Sequence, residues 1–205
     1  MQGIFANAFI EENYARKILV KVLQKIYKFG DWQLSLIDER PYALEVVHRC
    51  NKYLLGIDKP VVVEVGAGIG EIISNISKNK ARKYAYDINV RNIKASRIMN
   101  PGINYKRGTF EDVKIGKIDC FIMVNFIHLL SEETLGKQIN AVLQKNDVSL
   151  FVLDTFNNNE NTCYTYSHNG NKLFGEGYYL YYKSKGFQAS GDARRYIEYW
   201  VKKSD

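Results

Sequence analysis

One segment constrains this chain more than any other. In Val63-Glu64-Val65-Gly66-Ala67-Gly68-Ile69-Gly70-Glu71, an apolar β-branched run that starts after Pro60 meets three alternating glycines and then a helix-forming sequence. A short, uninterrupted run such as Val61 to Val65 predicts a strand buried on both faces, which is the environment of a parallel sheet. Gly66 and Gly68 permit a tight turn whose backbone amides approach a ligand, and Gly70 lets the following helix pack on its strand. The spacing departs from a dinucleotide loop. That loop reads GxGxxG, whereas this one reads GxGxG with Glu71 in the sixth place. Glu64, two residues before the first glycine, suits a ligand carrying positive charge, because a carboxylate attracts an ammonium or sulfonium and repels a pyrophosphate.

The rest of the chain predicts an α/β fold, a doubly wound and mostly parallel sheet with helices on both faces. Lys83 to Asp87, Ile103 to Arg107, Asp119 to Val124 and Val148 to Asp154 read as further strands. Helices are expected through Ile72, Ile73 and Ile76, over Val90 to Met99, and from Ser131, where Glu132 and Glu133 suit the positive end of a helix dipole. Ahead of the first strand, Ile10, Tyr14, Ile18, Val22 and Ile26 predict an apolar stripe on a helix over Phe9 to Phe29 that stops at Gly30. Asp31 to Arg40 reads as irregular, and Pro41 opens a second helix that runs to Gly56. Residues 1–56 are therefore expected as a helical cap on the same domain, with the ligand-binding body over 57–205. Near the end the rhythm breaks. Asn157 to Asn159 read as a loop, Tyr164 to Lys172 fits strand or loop, Gly177 to Lys185 reads as a tyrosine-rich helix closed by Gly186, and Phe187 to Ser190 is expected to pair antiparallel with Tyr196 to Lys202.

Asp87 lies about 20 positions after Gly66, at the end of the second strand, with Ile88 beside it; a carboxylate there can accept both hydroxyls of a ribose and repels a 2′-phosphate. After strand three, Phe110-Glu111-Asp112 offers a ring to cover adenine and acids to receive its amino group. Together with Asn125-Phe126-Ile127-His128-Leu129-Leu130, these segments resemble the motifs of class I S-adenosylmethionine-dependent methyltransferases, over about Pro60 to Asp154. The resemblance implies a seven-stranded sheet with a final antiparallel hairpin and S-adenosylmethionine as cofactor. It places Glu64, Gly66 and Gly68 at the methionine end, Asp87 at the ribose, Phe110 to Asp112 at the adenine, and Asn125 near the sulfonium, with Ala67, Gly70 and Ile88 also at the cofactor.

Methyl transfer needs no metal and no strong base, since the sulfonium is already an activated leaving group and alignment supplies much of the acceleration. His128, after strand four, is either a general base or a residue packed beneath the cofactor loop. His168 is a second candidate base, and His48 reads as structural. The Asn-Pro-Pro-aromatic motif of many nucleic-acid amino-methyltransferases is absent, and the only prolines are Pro41, Pro60 and Pro101. The expected acceptor is a small polar molecule, most simply an oxygen of a sugar, nucleotide-linked or phosphorylated metabolite, covered by Trp32, Arg40 and Tyr42. Arg40 either holds its phosphate or carboxylate or makes a surface ion pair. The formal charge of +7, from 29 basic and 22 acidic residues, keeps an RNA acceptor as the alternative. A non-catalytic cofactor-binding partner is a third reading, with the stripe from Ile10 to Ile26 as its docking face; the same stripe equally suits packing on its own sheet or a homodimer. No apolar stretch is long enough to span a membrane, and the start of the chain lacks a signal-peptide pattern, so a cytoplasmic protein with Cys50, Cys120 and Cys163 reduced is expected.

Overall fold

The computed structural model describes residues 2–77, 80–157, 164–189 and 192–203, with side chains of the first helix described from Tyr14 onward. In chain order the elements are α1 (Gln2–Tyr27), α2 (Pro41–Tyr53), β1 (Val61–Val65), α3 (Glu71–Asn75), β2 (Arg82–Asp87), α4 (Val90–Met99), β3 (Asn104–Arg107), β4 (Lys117–Ile118), β5 (Cys120–Met123), α5 (Glu132–Leu143), β6 (Asp147–Val148), β7 (Leu150–Phe156), α6 (Gly170–Phe174), β8 (Tyr178–Lys183), β9 (Phe187–Gln188) and β10 (Arg194–Lys202). The main sheet runs β3-β2-β1-β5-β7-β10-β8, with β9 also paired to β10. All pairs up to β7 are parallel, and β10 is antiparallel to β7, β8 and β9. Strand order reverses direction between β1 and β5, the point at which an open α/β sheet forms its ligand crevice.

Local sequence explains most of this. Every residue of β1, β5 and β7 is buried, as expected of mostly apolar runs sandwiched between helices, and the burial includes Glu64 of β1 and Asp154 of β7. Pro41 opens α2 where no amide is needed, and the Ser131 hydroxyl accepts the Thr134 amide to cap α5. The core lies in two layers. On one face of the sheet Ala43, Val46 and Cys50 of α2 pack with Ile72, Ile73, Val62, Cys120 and Val152; on the other, Leu135, Ile139 and Val142 of α5 pack with Phe121, Phe151 and Trp200. The expected cap is thus two different things, because α2 is part of the layer covering the sheet while α1 packs through Val20 and Leu23 on Ala95 and Met99 of α4.

Four expectations are corrected. Tyr178 to Lys183 is a strand rather than a helix, which suits the β-preference of tyrosine at a sheet edge, and it, not Phe187 to Ser190, is the main antiparallel partner of β10. Gly186 closes no helix; it gives room for the Tyr196 ring, 3.1 Å from where its Cβ would stand. The first helix ends at Tyr27, with Lys28 in the left-handed region, rather than at Gly30. The stripe does not pack on the sheet: Tyr14, Ile18, Val22 and Ile26 are exposed, and Arg16, Val20, Leu23 and Tyr27 face inward instead. A four-residue spacing describes an apolar stripe without saying which stripe finds a partner. The side chain of Ile10 and the loop residues Asn158 and Asn159, with Cys163, lie outside the described residues, whereas Cys50 and Cys120 are buried free thiols. Among the described residues, no helix is long and apolar enough to cross a membrane.

Candidate functional site

At the carboxyl ends of β1, β2, β3 and β5 lies a cavity of about 920 Å³, near the upper end of the roughly 300–1,000 Å³ usual for ligand pockets. Its floor is the glycine turn. Gly66, Gly68 and Gly70 have φ of +68°, +56° and +79°, a region in which a side chain is strained. A Cβ at Gly66 would stand 2.4 Å from the Phe126 ring, and one at Gly70 would stand 2.0 Å from the Tyr105 hydroxyl. Gly70 therefore opens α3 in the only conformation that lets β3 lie alongside.

Two carboxylates flank the turn. Asp87 is buried at the end of β2; its Oδ2 accepts the Gly68 amide at 2.8 Å, while Oδ1 accepts the Asn89 amide at 2.7 Å and the Asn92 side chain at 3.3 Å. Burial raises its pKa and those hydrogen bonds oppose the rise. Glu64 is 3% exposed and accepts the Ile73 amide at 3.1 Å; burial pushes its carboxyl up to about 8. Arg40 lies within electrostatic reach of Glu64 and lines the same cavity. Glu71, which displaces the third glycine of a dinucleotide loop, also lines the cavity and is paired with Arg16 of α1, whose Nε donates to it at 2.9 Å.

Across the cleft, side chains from β5, β7 and β10 converge. Asn125 stands at φ +76°, with its amide donating to both oxygens of the fully buried Asp154 at 3.1 and 3.0 Å. Arg195 of β10 lies 3.5 Å from Asp154 and donates to the Asn125 side chain at 2.9 Å. His128 lines the cavity, edge-on to Tyr164 and Phe156, and burial lowers its pKa, so the neutral imidazole is favoured.

The structure brings together Glu64, Gly66, Ala67, Gly68, Asp87, Ile88, Phe110, Asn125, Trp32, Arg40, Tyr42 and His128 around this cavity. Gly70 sits just behind the turn. His168, Glu111 and Asp112 are not among the described residues that line it. His168 is buried with Nε2 2.9 Å from the Ile127 carbonyl, bracing the turn that carries His128. Asp112 caps the Phe110 turn by accepting the Thr109 amide at 2.8 Å, and Glu111 is exposed and bonded to Gln138. Sequence reasoning missed Gln33, Asn92, Tyr164, Asp154 and Arg195. Gln33 is nonetheless buried and bonded to Asn92 at 3.2 Å. Apart from Asn92, five positions after Asp87, their partners lie far away in the chain, where no local spacing marks them.

This arrangement was compared with known proteins. No family model matches, and no curated protein matches. Among solved structures, magnesium protoporphyrin IX methyltransferase from Synechocystis PCC 6803 with bound SAH is 14% identical with a TM-score of 0.66, covering 99% of this chain and 100% of that one. The N-methyltransferase NodS from Bradyrhizobium japonicum is 12% identical at TM-score 0.65, over 82% of this chain and 99% of that one. The glycopeptide N-methyltransferase MtfA, complexed with sinefungin, is 11% identical at TM-score 0.58, over 80% and 86%. The chain has the class I methyltransferase fold. Within that fold the glycine turn, Asp87 and the Phe110 turn stand at the ends of β1, β2 and β3, in the order in which the sequence motifs run.

Proposed function

We propose that the protein is an S-adenosylmethionine-dependent methyltransferase acting on a small polar acceptor. The observation that carries this reading is the pairing of Glu64 and Asp87, two buried carboxylates from neighbouring strands on either side of one glycine turn, in a cavity large enough for a cofactor and an acceptor. The residues present suit that cofactor. Side chains at Gly66 and Gly68 would fill the cradle, Glu64 offers a carboxylate to an ammonium, and Asp87 has acceptor capacity left for ribose hydroxyls. Arg40, expected at the acceptor, is assigned here to the carboxylate of the methionine end, beside Glu64. Phe110 and the Gly108 to Thr109 backbone form the adenine wall in preference to the side chains of Glu111 and Asp112.

When bound, the cofactor supplies an electrophilic methyl on a sulfonium. The chain's own part is to align the acceptor, keep water out, and take a proton where the acceptor is a hydroxyl. His128 is placed for the last task, because Nδ1 has no hydrogen-bond partner and the ring is held neutral. His168 acts through His128 as a positioning residue. An oxygen of a sugar, nucleotide-linked or phosphorylated metabolite remains the preferred acceptor.

The test is transfer of label from radiolabelled S-adenosylmethionine into cell extract separated into small-molecule, RNA and protein fractions, with Asp87→Ala as the blank. Label in the small-molecule fraction is expected. Nuclease-sensitive label would replace the acceptor with RNA, and failure of the protein to bind S-adenosylhomocysteine would reject the enzyme reading.

A further inference from the structure

Arg195 is 5% exposed, yet its Nε and Nη1 form no well-shaped hydrogen bond, having only the Asp154 carboxylate 3.5 Å from Nε and the Tyr42 side chain beside them. Its Nη2 is used, by the Asn125 side chain at 2.9 Å and the Tyr164 hydroxyl at 3.4 Å. Asp154 balances the charge from 3.5 Å, but both its oxygens are directed at the Asn125 amide. Buried guanidinium N–H groups without acceptors are costly, because burial removes the water that would otherwise bond them. The guanidinium carbon lies 4.0 Å from the centre of the Tyr42 ring, in the first turn of α2. That helix begins with Pro41 and has no side-chain cap and no acid in its first turn; the Ala43 and Leu44 amides donate to the Arg40 carbonyl, and no negative charge of its own first turn balances its positive end beside the arginine.

We infer that Arg195 and the N-terminal turn of α2 form an anion subsite for the acceptor, so that the molecule methylated here carries a carboxylate or phosphate group. This rests on the methyltransferase reading and deepens it. The subsite lies with Asn125, Tyr164 and His128, and Arg195 lines the cavity. The other charged or titratable groups facing it are Arg40, Asp154 and His128, and the last is held neutral. The rings of Tyr42 and Tyr164 lie against the guanidinium and are themselves half-buried at the cavity wall. Arginine presents a planar fork to such a group, and the cavity-lining rings of Tyr42 and Tyr164 beside it favour a flat acceptor body.

The experiment is calorimetric titration of the full chain, saturated with S-adenosylhomocysteine, with benzoate, phenyl phosphate and the neutral isostere benzamide. One or both anions are expected to bind at least about tenfold more tightly than benzamide, as charge-assisted hydrogen bonds are stronger than neutral ones. Arg195→Lys keeps the charge beside Asp154 but removes the fork, and is expected to weaken the anion about tenfold while the unfolding midpoint and S-adenosylhomocysteine affinity hold. Equal binding of benzamide, no anion binding, or an unaltered Arg195→Lys variant would overturn the subsite and leave the arginine as a brace for Asn125. Displacement of S-adenosylhomocysteine by the anion would overturn it in another way, by assigning the donors to the cofactor's carboxylate. Anion binding to a chain that fails to bind S-adenosylhomocysteine would support the subsite and reject the methyltransferase reading instead.

Discussion

Along β1 and β2 the cleft is built from backbone; along β5, β7 and β10 it is built from side chains. The first region relies on three left-handed glycines and on amides fixed by Asp87 and Glu64, residues that lie close together in sequence. The second depends on Asp154, Arg195, Asn125 and His128, gathered from strands and turns up to 70 residues apart. A backbone cradle fits a ligand that is always the same, whereas a side-chain cluster can be changed residue by residue without disturbing the chain path. The difference matches the division of labour proposed between cofactor and acceptor.

That comparison breaks first at Asp154. Asp154→Asn leaves Arg195 buried without a counter-charge, and should lower stability by about 3–5 kcal/mol in denaturant unfolding. Survival of this variant at wild-type stability would mean that the side-chain region is only loosely tied to the core. Gly70→Val should cost roughly 2–4 kcal/mol from a left-handed β-branched residue forced against Tyr105, and should abolish S-adenosylhomocysteine binding in the same calorimetric titration. Asp87→Ala should separate binding from folding, weakening S-adenosylhomocysteine by about 1–3 kcal/mol with a smaller change in unfolding midpoint.

Glu64 sharpens the comparison through pH. Its folded pKa, about 8, lies above the ordinary value of 4.5. The folded state therefore binds this proton more tightly, and the resulting stability is full below about 4.5, declines as pH rises and is lost by about 8. The ligand-free protein should lose unfolding midpoint between pH 5 and 8 to a greater extent than Glu64→Gln. Binding of an ammonium should release the proton near pH 7, seen as a buffer-dependent heat that the Gln variant lacks. The smallest effect is expected at Lys137→Ala, which removes an exposed pair with Glu133 and should stay within about 0.5 kcal/mol by thermal unfolding.

The sequence by itself determined the sheet's parallel body and the backbone region of the cleft. Val61 to Val65 can be buried only between two helical layers, and the glycine spacing and Asp87 act over short stretches of chain, where local conformation decides the geometry. Tertiary structure decided the remainder. Whether Tyr178 to Lys183 is helix or strand depended on a free edge at β10, and which stripe of α1 is covered depended on α4. Glu111 and Asp112 look like ligand groups in the sequence, but one is solvated and the other is used by its own turn. Arg195 shows the same limit from the other side. Nothing in the residues around it marks a site, because its meaning comes from Asp154, Tyr42 and Asn125, and only the packed sheet places those beside it.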